Sequence, residues 1–422
     1  MLDINKIREH QEEVRQALLK RLNQKDFDLA KIIELDDARR ALIKEADELK
    51  SQRNNTSKTK PAPEVIASMK KVGEKIKHLD QEIKETENLL NEKLAALPNL
   101  PADDVKSGNK ENNEVLKICG KKPIFKFQPK DHIELATALK LVDYERGVKM
   151  SGSGFWAYTG KGALLEWALL NYFIDFHKKN SYTFLIPPFL LTEQSAYTSG
   201  HLPKFKDDLY WTSASAGATA DRQDKLCLNA TSEMMLLNYH RDEILTETEL
   251  PKKYFAYSPC FRREAGAYRT EERGMVRGHQ FNKVEMFAFA KPEDSWKIFK
   301  ELLKNAEKLL DGLGLHFQTV KLAAGDASAA MAKTVDLEVW LPSMKMYKEV
   351  SSVSSALDYQ ARRGNIRYKT AGGKNEFMHT LNGSGLATSR LLPAILEQNQ
   401  QPDGSVKIPR ILRKYLDFKV IK

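Results

Sequence analysis

The stretch PCFRREAGAYRTEERGMVRGHQFNKVEMF, Pro259 to Phe287, carries five arginines and four carboxylates, yet both of its ends read as strand. Guanidinium groups are fixed forks of donors that match phosphate and carboxylate oxygens. Read with period two, the first strand puts Arg262 and Glu264 on one face, and the second puts Arg277, His279, Phe281, Lys283 and Glu285 on one face. With Ala265 to Gly274 as the turn, a hairpin would turn a cation pair, an aromatic platform and two carboxylates to the same side. From Arg277 to Phe281 is roughly 13 Å at ~3.3 Å per residue, comparable with a nucleotide from phosphate tail to base. A surface hairpin laced with ion pairs would also explain the charges, but it gives no reason for a lone Phe281 among them.

No GxxxxGK[ST] loop is present, and the glycines of SGSGFWAYTGKG lack the spacing of a dinucleotide turn, so any nucleotide must be held by side chains. The elements that would position them follow from pattern. Gly162 to Lys179 reads as a helix, followed by a short apolar strand, YTFLIPPFLL, broken by Pro187 and Pro188. Strands and helices then alternate without a regular βαβ rhythm, which predicts an α+β domain on a mainly antiparallel sheet flanked by helices. Thr212 to Asp224 is small and polar and reads as a loop.

The first hundred residues follow another rule. Val65, Met69, Val72, Ile76, Leu79, Ile83 and Leu90 fall at alternating steps of four and three, with Thr86 missing the beat. A weaker seam of Ile32, Leu35, Leu42, Ala46 and Leu49 is interrupted by Arg39, and the polar, proline-bearing Ser51 to Pro63 separates the two. The expected element is an antiparallel two-helix coiled coil over about residues 30–97. Its second helix, roughly 50 Å long at ~1.5 Å per residue, is expected to project into solvent. Leu97 to Glu114 has the composition of a linker, so the domains expected are 1–110 and 111–422.

With 67 Lys+Arg against 57 Asp+Glu, the net charge of +10 suggests an anionic partner without identifying one. Cys119, Cys227 and Cys260 are odd in number and widely spaced, which indicates neither a disulfide framework nor a zinc knuckle and fits a reduced cytoplasm. The charged N-terminus lacks the apolar core of a signal peptide, and no run of about 18 apolar residues appears; no membrane association is expected.

PCFRREAG followed by MVRGHQFNKVEMF resembles motif 2 of class II aminoacyl-tRNA synthetases, with Phe261-Arg262-Arg263-Glu264 as its Phe-Arg-x-Glu core, and LNGSGLATSR, Leu381 to Arg390, resembles motif 3. SGHLPKFKDDLY (Ser199 to Tyr210), ATSE (Ala230 to Glu233), YKEVSSVSSALDYQARR (Tyr347 to Arg363) and the helical arm resemble the seryl-tRNA synthetase family, bacterial type, along essentially the whole chain. The resemblance implies motifs 1, 2 and 3 at 162–188, 259–287 and 381–398. It also implies a homodimer that joins L-serine to the α-phosphate of ATP and passes the seryl group to the 3′ end of tRNA(Ser). Whether tRNA(Sec) is charged as well stays open.

Residue by residue, the same resemblance implies that Arg262 contacts the α-phosphate and the attacking carboxylate, with Glu349 and Arg390 as the other catalytic groups. Glu264 would read the adenine amino group, Phe281 and Arg390 would stack on its two faces, and Arg277 would hold the γ-phosphate. Arg263, Val350 and Ser351 belong to the same implied ATP site. Glu349 and Ser352 would ligate Mg²⁺, with no zinc. Serine would be held by Thr231, Ser232, Glu233, Arg262, Glu285, Asn382 and Ser384. The arm implies tRNA contacts at Arg53, Lys58, Lys60, Lys70, Lys71, Lys75 and Lys77; on charge alone these are a solvated helix face as readily as a grip on phosphates.

The chain departs from the family pattern at Ser181, where glycine is usual before the aromatic of motif 1, and at Val353 and Ser355, which replace Cys and Asn. Pro393 is expected to bend or delay the motif 3 helix. Three rivals compete. An amino acid:carrier protein ligase is built without the long arm, and a zinc-dependent serine enzyme would need a Cys ligand. A non-catalytic coiled-coil RNA-binding protein leaves Arg262, Phe281, Glu349 and Arg390 unexplained together.

Overall fold

The computed structural model describes residues 1–56, 63–212, 225–264 and 274–422. Lys58, Lys60, the hairpin turn from Ala265 and the polar loop from Ser213 lie outside the described residues. The chain forms two compact units, Met1–Leu100 and Pro101–Lys422.

In the first unit, helices α1 (Ile4–Glu9) and α2 (Gln11–Leu19) precede two long helices, α3 (Leu29–Thr56) and α4 (Pro63–Ala96). The ion pairs Arg39–Glu87 at 3.5 Å and Lys50–Asp80 at 2.8 Å join the long helices in opposite senses, as an antiparallel pair requires. Ile32, Ala46, Ile76, Leu79 and Leu90 are buried, as the seam predicts. Its interruption at Arg39 has a physical reason. Asp36 is 0% exposed and accepts from Arg8 Nη1 (3.1 Å), Arg39 Nη2 (3.0 Å) and Arg40 Nε (2.7 Å), so a buried carboxylate here is surrounded by cations. Buried Ile7, Val14 and Leu18 give α1 and α2 their own apolar face, which the sequence reading left unassigned.

The second unit is built on a sheet of eight strands among the described residues: β1 (Glu114–Cys119), β2 (Thr183–Leu185), β3 (Lys252–Phe261), β4 (Gln280–Ala290), β5 (Phe317–Lys321), β6 (Lys333–Leu341), β7 (Met346–Leu357) and β8 (His379–Ala387). Their order is β1-β5-β6-β7-β8-β4-β3-β2, and every neighbour is antiparallel except β2, which runs parallel to β3. The central strands are covered on both faces, which explains why VEMFAFA reads as a continuous apolar run. Val284, Met286, Ala288 and Ala290 enter the main core, while Phe287 and Phe289 enter a second cluster with Leu236 and Leu237. Three helices bear on the site below: α5 (Gly160–Lys179), α6 (Ser295–Gly312) and α7 (Thr388–Asn399).

The motif 2 hairpin differs from its expected form at the open end. The ladder runs from Lys252↔Phe289 to Phe261↔Gln280 and stops, so Arg262, Glu264, Arg277 and His279 stand just beyond the strands. Glu264 at φ 52° and Gly274 at φ 63° turn the chain away from extended geometry, and His279 N donates to Gly154 O at 3.0 Å. Period two holds from Phe281 onward, where Phe281, Lys283 and Glu285 continue into Phe287 and Phe289. The helix α7 starts at Thr388 and contains Pro393 in its interior, so the proline does not delay it.

Ser181 occupies φ 63° directly after α5, a left-handed conformation that glycine adopts without steric penalty. The family's usual glycine is therefore a backbone requirement, and serine meets it at a cost. Ser181→Gly is expected to raise stability by about 0.5 kcal/mol, the left-handed penalty less the extra unfolded-state entropy of glycine, and Ser181→Val to lower it. Urea midpoints at constant m-value check this; a destabilised glycine variant would remove the conformational explanation.

Candidate active site

A cavity of about 430 Å³ opens above the open end of the motif 2 strands. Thr231 caps the short helix Ser232–Asn238, where its Oγ1 accepts from Glu233 N at 3.2 Å and from Lys283 Nζ at 2.6 Å. Lys283 in turn pairs with Glu285 at 2.5 Å, a carboxylate only 1% exposed. Strand register sets the third wall: Ser384 lies opposite Glu285 across β8 and β4, and Asn382 Nδ2 donates to Glu233 Oε2 (3.1 Å) and Glu285 Oε1 (3.2 Å).

The two acids of this pocket have different partners. Glu285 has the Lys283 ammonium, whereas Glu233 takes its nearest hydrogen bond from a neutral amide, Gln360 Nε2 at 2.7 Å. Burial, with Glu285 adding repulsion, pushes the Glu233 carboxyl up to about 7. His201 lines the same cavity, bonded through Nδ1 to Ser199 Oγ at 2.9 Å. Burial, followed by Arg262 and Lys283, pushes its ring down to about 3, so the imidazole is neutral at physiological pH.

A smaller cavity of about 80 Å³ shares Arg262, Glu264, Arg277, Lys283, Glu349 and Ser384 with the first and adds Phe281, Val350 and Arg390. Arg262 donates from Nε to Ala230 O at 3.3 Å, and its guanidinium stands 5.2 Å from the Phe281 ring centre. Glu264 and Arg277 form an ion pair. Arg390 is fixed by Val276 O (3.2 Å), Glu349 O (2.9 Å) and the Glu349 carboxylate (3.4 Å). Arginines, a flat ring and an acidic pocket thus line two cavities that share a wall.

Thr231, Glu233, Arg262, Glu264, Arg277, Phe281, Glu285, Glu349, Val350, Ser352, Asn382, Ser384 and Arg390 line one cavity or both. Three expected residues lie outside these walls. Ser232 turns its hydroxyl to Ser258 Oγ at 2.7 Å, Ser351 donates to Ser384 O at 2.7 Å, and Arg263 joins the loop at Asp208 through its backbone N–H. Their hydroxyls and backbone support the walls from behind. Lys283, which strand alternation sets on the face of Glu285, had no role assigned from the sequence, although a buried carboxylate demands a cation; Gln360 and His201 carried no such signal. In the first unit, Arg53, Lys70, Lys71, Lys75 and Lys77 are exposed, and Lys75 reaches Glu45 at 2.7 Å.

Comparison with known proteins agrees with this geometry. The tRNA synthetase class II core domain (G, H, P, S and T) matches residues 210–399, and the seryl-tRNA synthetase N-terminal domain matches residues 1–101. Serine-tRNA ligase 2 of Clostridium acetobutylicum is 51% identical over 426 residues, 99% of each chain, and the serine-tRNA ligase of Petrotoga mobilis is 45% identical over 433 residues, 100% of each. Among solved structures, seryl-tRNA synthetase from Pyrococcus horikoshii complexed with ATP is similar at a TM-score of 0.91 and 32% identity, covering 100% of this chain and 99% of that one. Cytoplasmic serine-tRNA ligase from Naegleria fowleri in complex with AMP gives 0.87 and 32% over the same shares. With such identity along its whole length, the chain belongs to the seryl-tRNA synthetase family of class II aminoacyl-tRNA synthetases.

Proposed function

We propose that this chain activates L-serine with ATP and transfers it to the 3′ end of tRNA(Ser). The observation that carries the reading is Arg262, which stands at the junction of the acidic pocket and the aromatic-walled cavity. In the first step the serine carboxylate attacks the α-phosphorus, a P–O bond forms and pyrophosphate leaves. Two anions must approach, and Arg262 offers fixed donors to both. In the second step a terminal ribose hydroxyl attacks the seryl carbonyl, and AMP leaves. The arm matching the seryl-specific N-terminal domain sets this reading apart from a carrier-protein ligase.

Phe281 and Arg390 would sandwich adenine, Glu264 would accept from its amino group, and Arg277 would hold the γ-phosphate. In the pocket, Glu233 and Glu285 are suited to the ammonium group, while Thr231, Asn382 and Ser384 offer partners to the hydroxyl. A substrate lacking that hydroxyl leaves buried polar groups unpaired, which is the physical basis for rejecting alanine. Among the described residues no group of three or more His, Cys, Asp or Glu gathers to hold a metal. Glu349 and Ser352, both on the larger cavity, suit Mg²⁺, which keeps waters and takes few protein oxygens beside substrate phosphates. Cross-strand from Ser352, Asp336 keeps Oδ1 buried without a hydrogen-bond partner, an acidic backing for such an ion. When bound, the ion supplies charge neutralisation on the phosphates.

A homodimer is supported by large apolar side chains left in water by motif 1: Leu164 (53%), Trp167 (57%) and Ile186 (75%). No helix among the described residues is long and apolar enough to cross a membrane, and a cytoplasmic setting is proposed with the function.

Arg262→Ala is expected to abolish serine-dependent exchange between ATP and pyrophosphate while the chain stays folded, since Arg262 lies on a cavity wall rather than in the core. Near wild-type exchange by a folded variant would sink the assignment. For Glu233 the sign follows from its raised carboxyl: neutral below pH about 7 and anionic above it, it binds a cation better as pH rises. The KM for serine is expected to fall between pH 6 and 8, and Glu233→Gln to flatten that profile. An equally steep profile in the variant would remove Glu233 from the ammonium site.

The arm is proposed to hold tRNA through its exposed cations. Deleting about Lys50 to Lys77 and closing the helices with a short turn should leave serine activation intact, because no proposed active-site residue lies there. Transfer to tRNA(Ser) should fall steeply and lose salt sensitivity, since fewer cations displace counterions from phosphates. The same transfer assay with tRNA(Sec) decides whether that RNA is a second acceptor. Wild-type transfer with unchanged salt dependence would exclude the arm as a tRNA-binding element.

A further inference from the structure

Glu166, on helix α5, is 4% exposed and lines neither cavity, yet it touches a strand and a helix that wall the smaller one. Its Oε1 accepts from Asn282 Nδ2 at 2.8 Å and from Thr388 Oγ1 at 2.5 Å. Asn282 follows Phe281 directly on β4, and Thr388 opens α7 two residues before Arg390. Phe281 and Arg390 are the two planar groups that would take opposite faces of the adenine. Asn282 is held on its other side by Tyr257, whose hydroxyl donates to Asn282 Oδ1 at 3.1 Å.

The burial of this acid is costly and unrewarded by local packing. Glu166 Oε2 is buried without a hydrogen-bond partner, and among the described residues the groups that act on the carboxyl are Thr388 and Asn282, neither of them a cation. An apolar residue would fill the space at lower cost. What an apolar residue could not do is accept from two donors on separate elements at one oxygen. Thr388 Oγ1 also lies 3.1 Å from Asn282 O, so its single proton has an alternative acceptor that would draw the two elements together differently if Glu166 were absent.

We propose that Glu166 is a positioning residue for the nucleotide: it pins Asn282 to Thr388 and thereby sets the spacing between Phe281 and Arg390. The inference rests on the reading of that cavity as the adenine site. Gating by this pin concerns the nucleotide and leaves the acidic pocket alone, because Thr231, Lys283, Glu285 and Asn382 hold one another without it.

The test is binding of AMP by calorimetry, with KM values for ATP and serine from pyrophosphate exchange. Glu166→Ala is expected to weaken AMP binding and raise the KM for ATP by about tenfold, with the serine KM within about twofold, since small misplacement of a positioning group is felt in the substrate it positions. Glu166→Gln keeps an oxygen for both donors and should stay within about threefold of wild type. Thr388→Val keeps the shape of the helix start and removes one donor, so it should move the ATP parameters in the direction of Glu166→Ala even if the alanine variant folds poorly. Equal losses for ATP and serine, or wild-type AMP binding by Thr388→Val, would overturn the proposal and make Glu166 a structural group. If the wild-type chain binds no AMP, the adenine reading itself fails and the proposal with it; AMP binding that survives Phe281→Ala and Arg390→Ala would have the same consequence.

Discussion

Everything at the site depends on keeping carboxylates buried, one in a sheet covered on both faces and one at the start of a helix beside it. An isolated ionised carboxylate in such a place is prohibitive, so each one requires a partner close at hand. Glu285 has Lys283 two residues away on the same strand face, and that lysine also reaches Thr231 at the cap of a helix. Glu233 takes its hydrogen bonds from the amides of Gln360 and Asn382, and burial, with repulsion from Glu285, raises its carboxyl. Two acids a short distance apart are thereby given different partners, an ammonium for one and amides for the other, which suits a pocket that must bind an ammonium group and also read a hydroxyl.

The same requirement explains what could and could not be read in the sequence. The arm was legible because its seam repeats: a period of three and four needs no knowledge of the partner. The strand through Phe281 was legible at its open end, where Phe281, Lys283 and Glu285 alternate with Asn282 and Val284; beyond Glu285 both faces are buried and alternation carries no contrast. The helices before Leu29 were not assigned, since their few apolar residues, Ile7, Val14 and Leu18, acquire a face only when packed. Asp36 was missed for a related reason. Its three arginines come from positions 8, 39 and 40, and only the folded helices bring position 8 to the others.

At the site, Arg262 and Phe281 were legible from type and spacing and Glu349 and Arg390 only through the family resemblance, whereas the orientation of all four was not legible. Strand alternation put Arg262 and Glu264 inside a strand, but the ladder's last pair is Phe261↔Gln280, and positive φ at Glu264 takes that residue out of extended geometry. Ser232 and Ser351 illustrate the converse. Each neighbours a pocket residue in sequence, but alternation and helix geometry turn its hydroxyl to Ser258 or to the Ser384 carbonyl. Adjacency in a motif therefore does not imply a place in the wall.

The positions where this chain departs from its family's pattern follow from the same difference in cost. Ser181 strains the backbone after a helix, a penalty of about 1–2 kcal/mol that a large fold can absorb. Val353 is fully buried opposite Gly383, where an apolar side chain packs without a polar demand. Pro393 lies inside α7, where the loss of one amide donor leaves the helix start at Thr388 unchanged. Removing Lys283 would be a different kind of event: Glu285 would remain buried without its counter-charge, and Thr231 would lose its donor. Breaking one partner of a buried pair costs about 3–5 kcal/mol, so the charged lattice beneath the pocket tolerates less variation than the backbone around it.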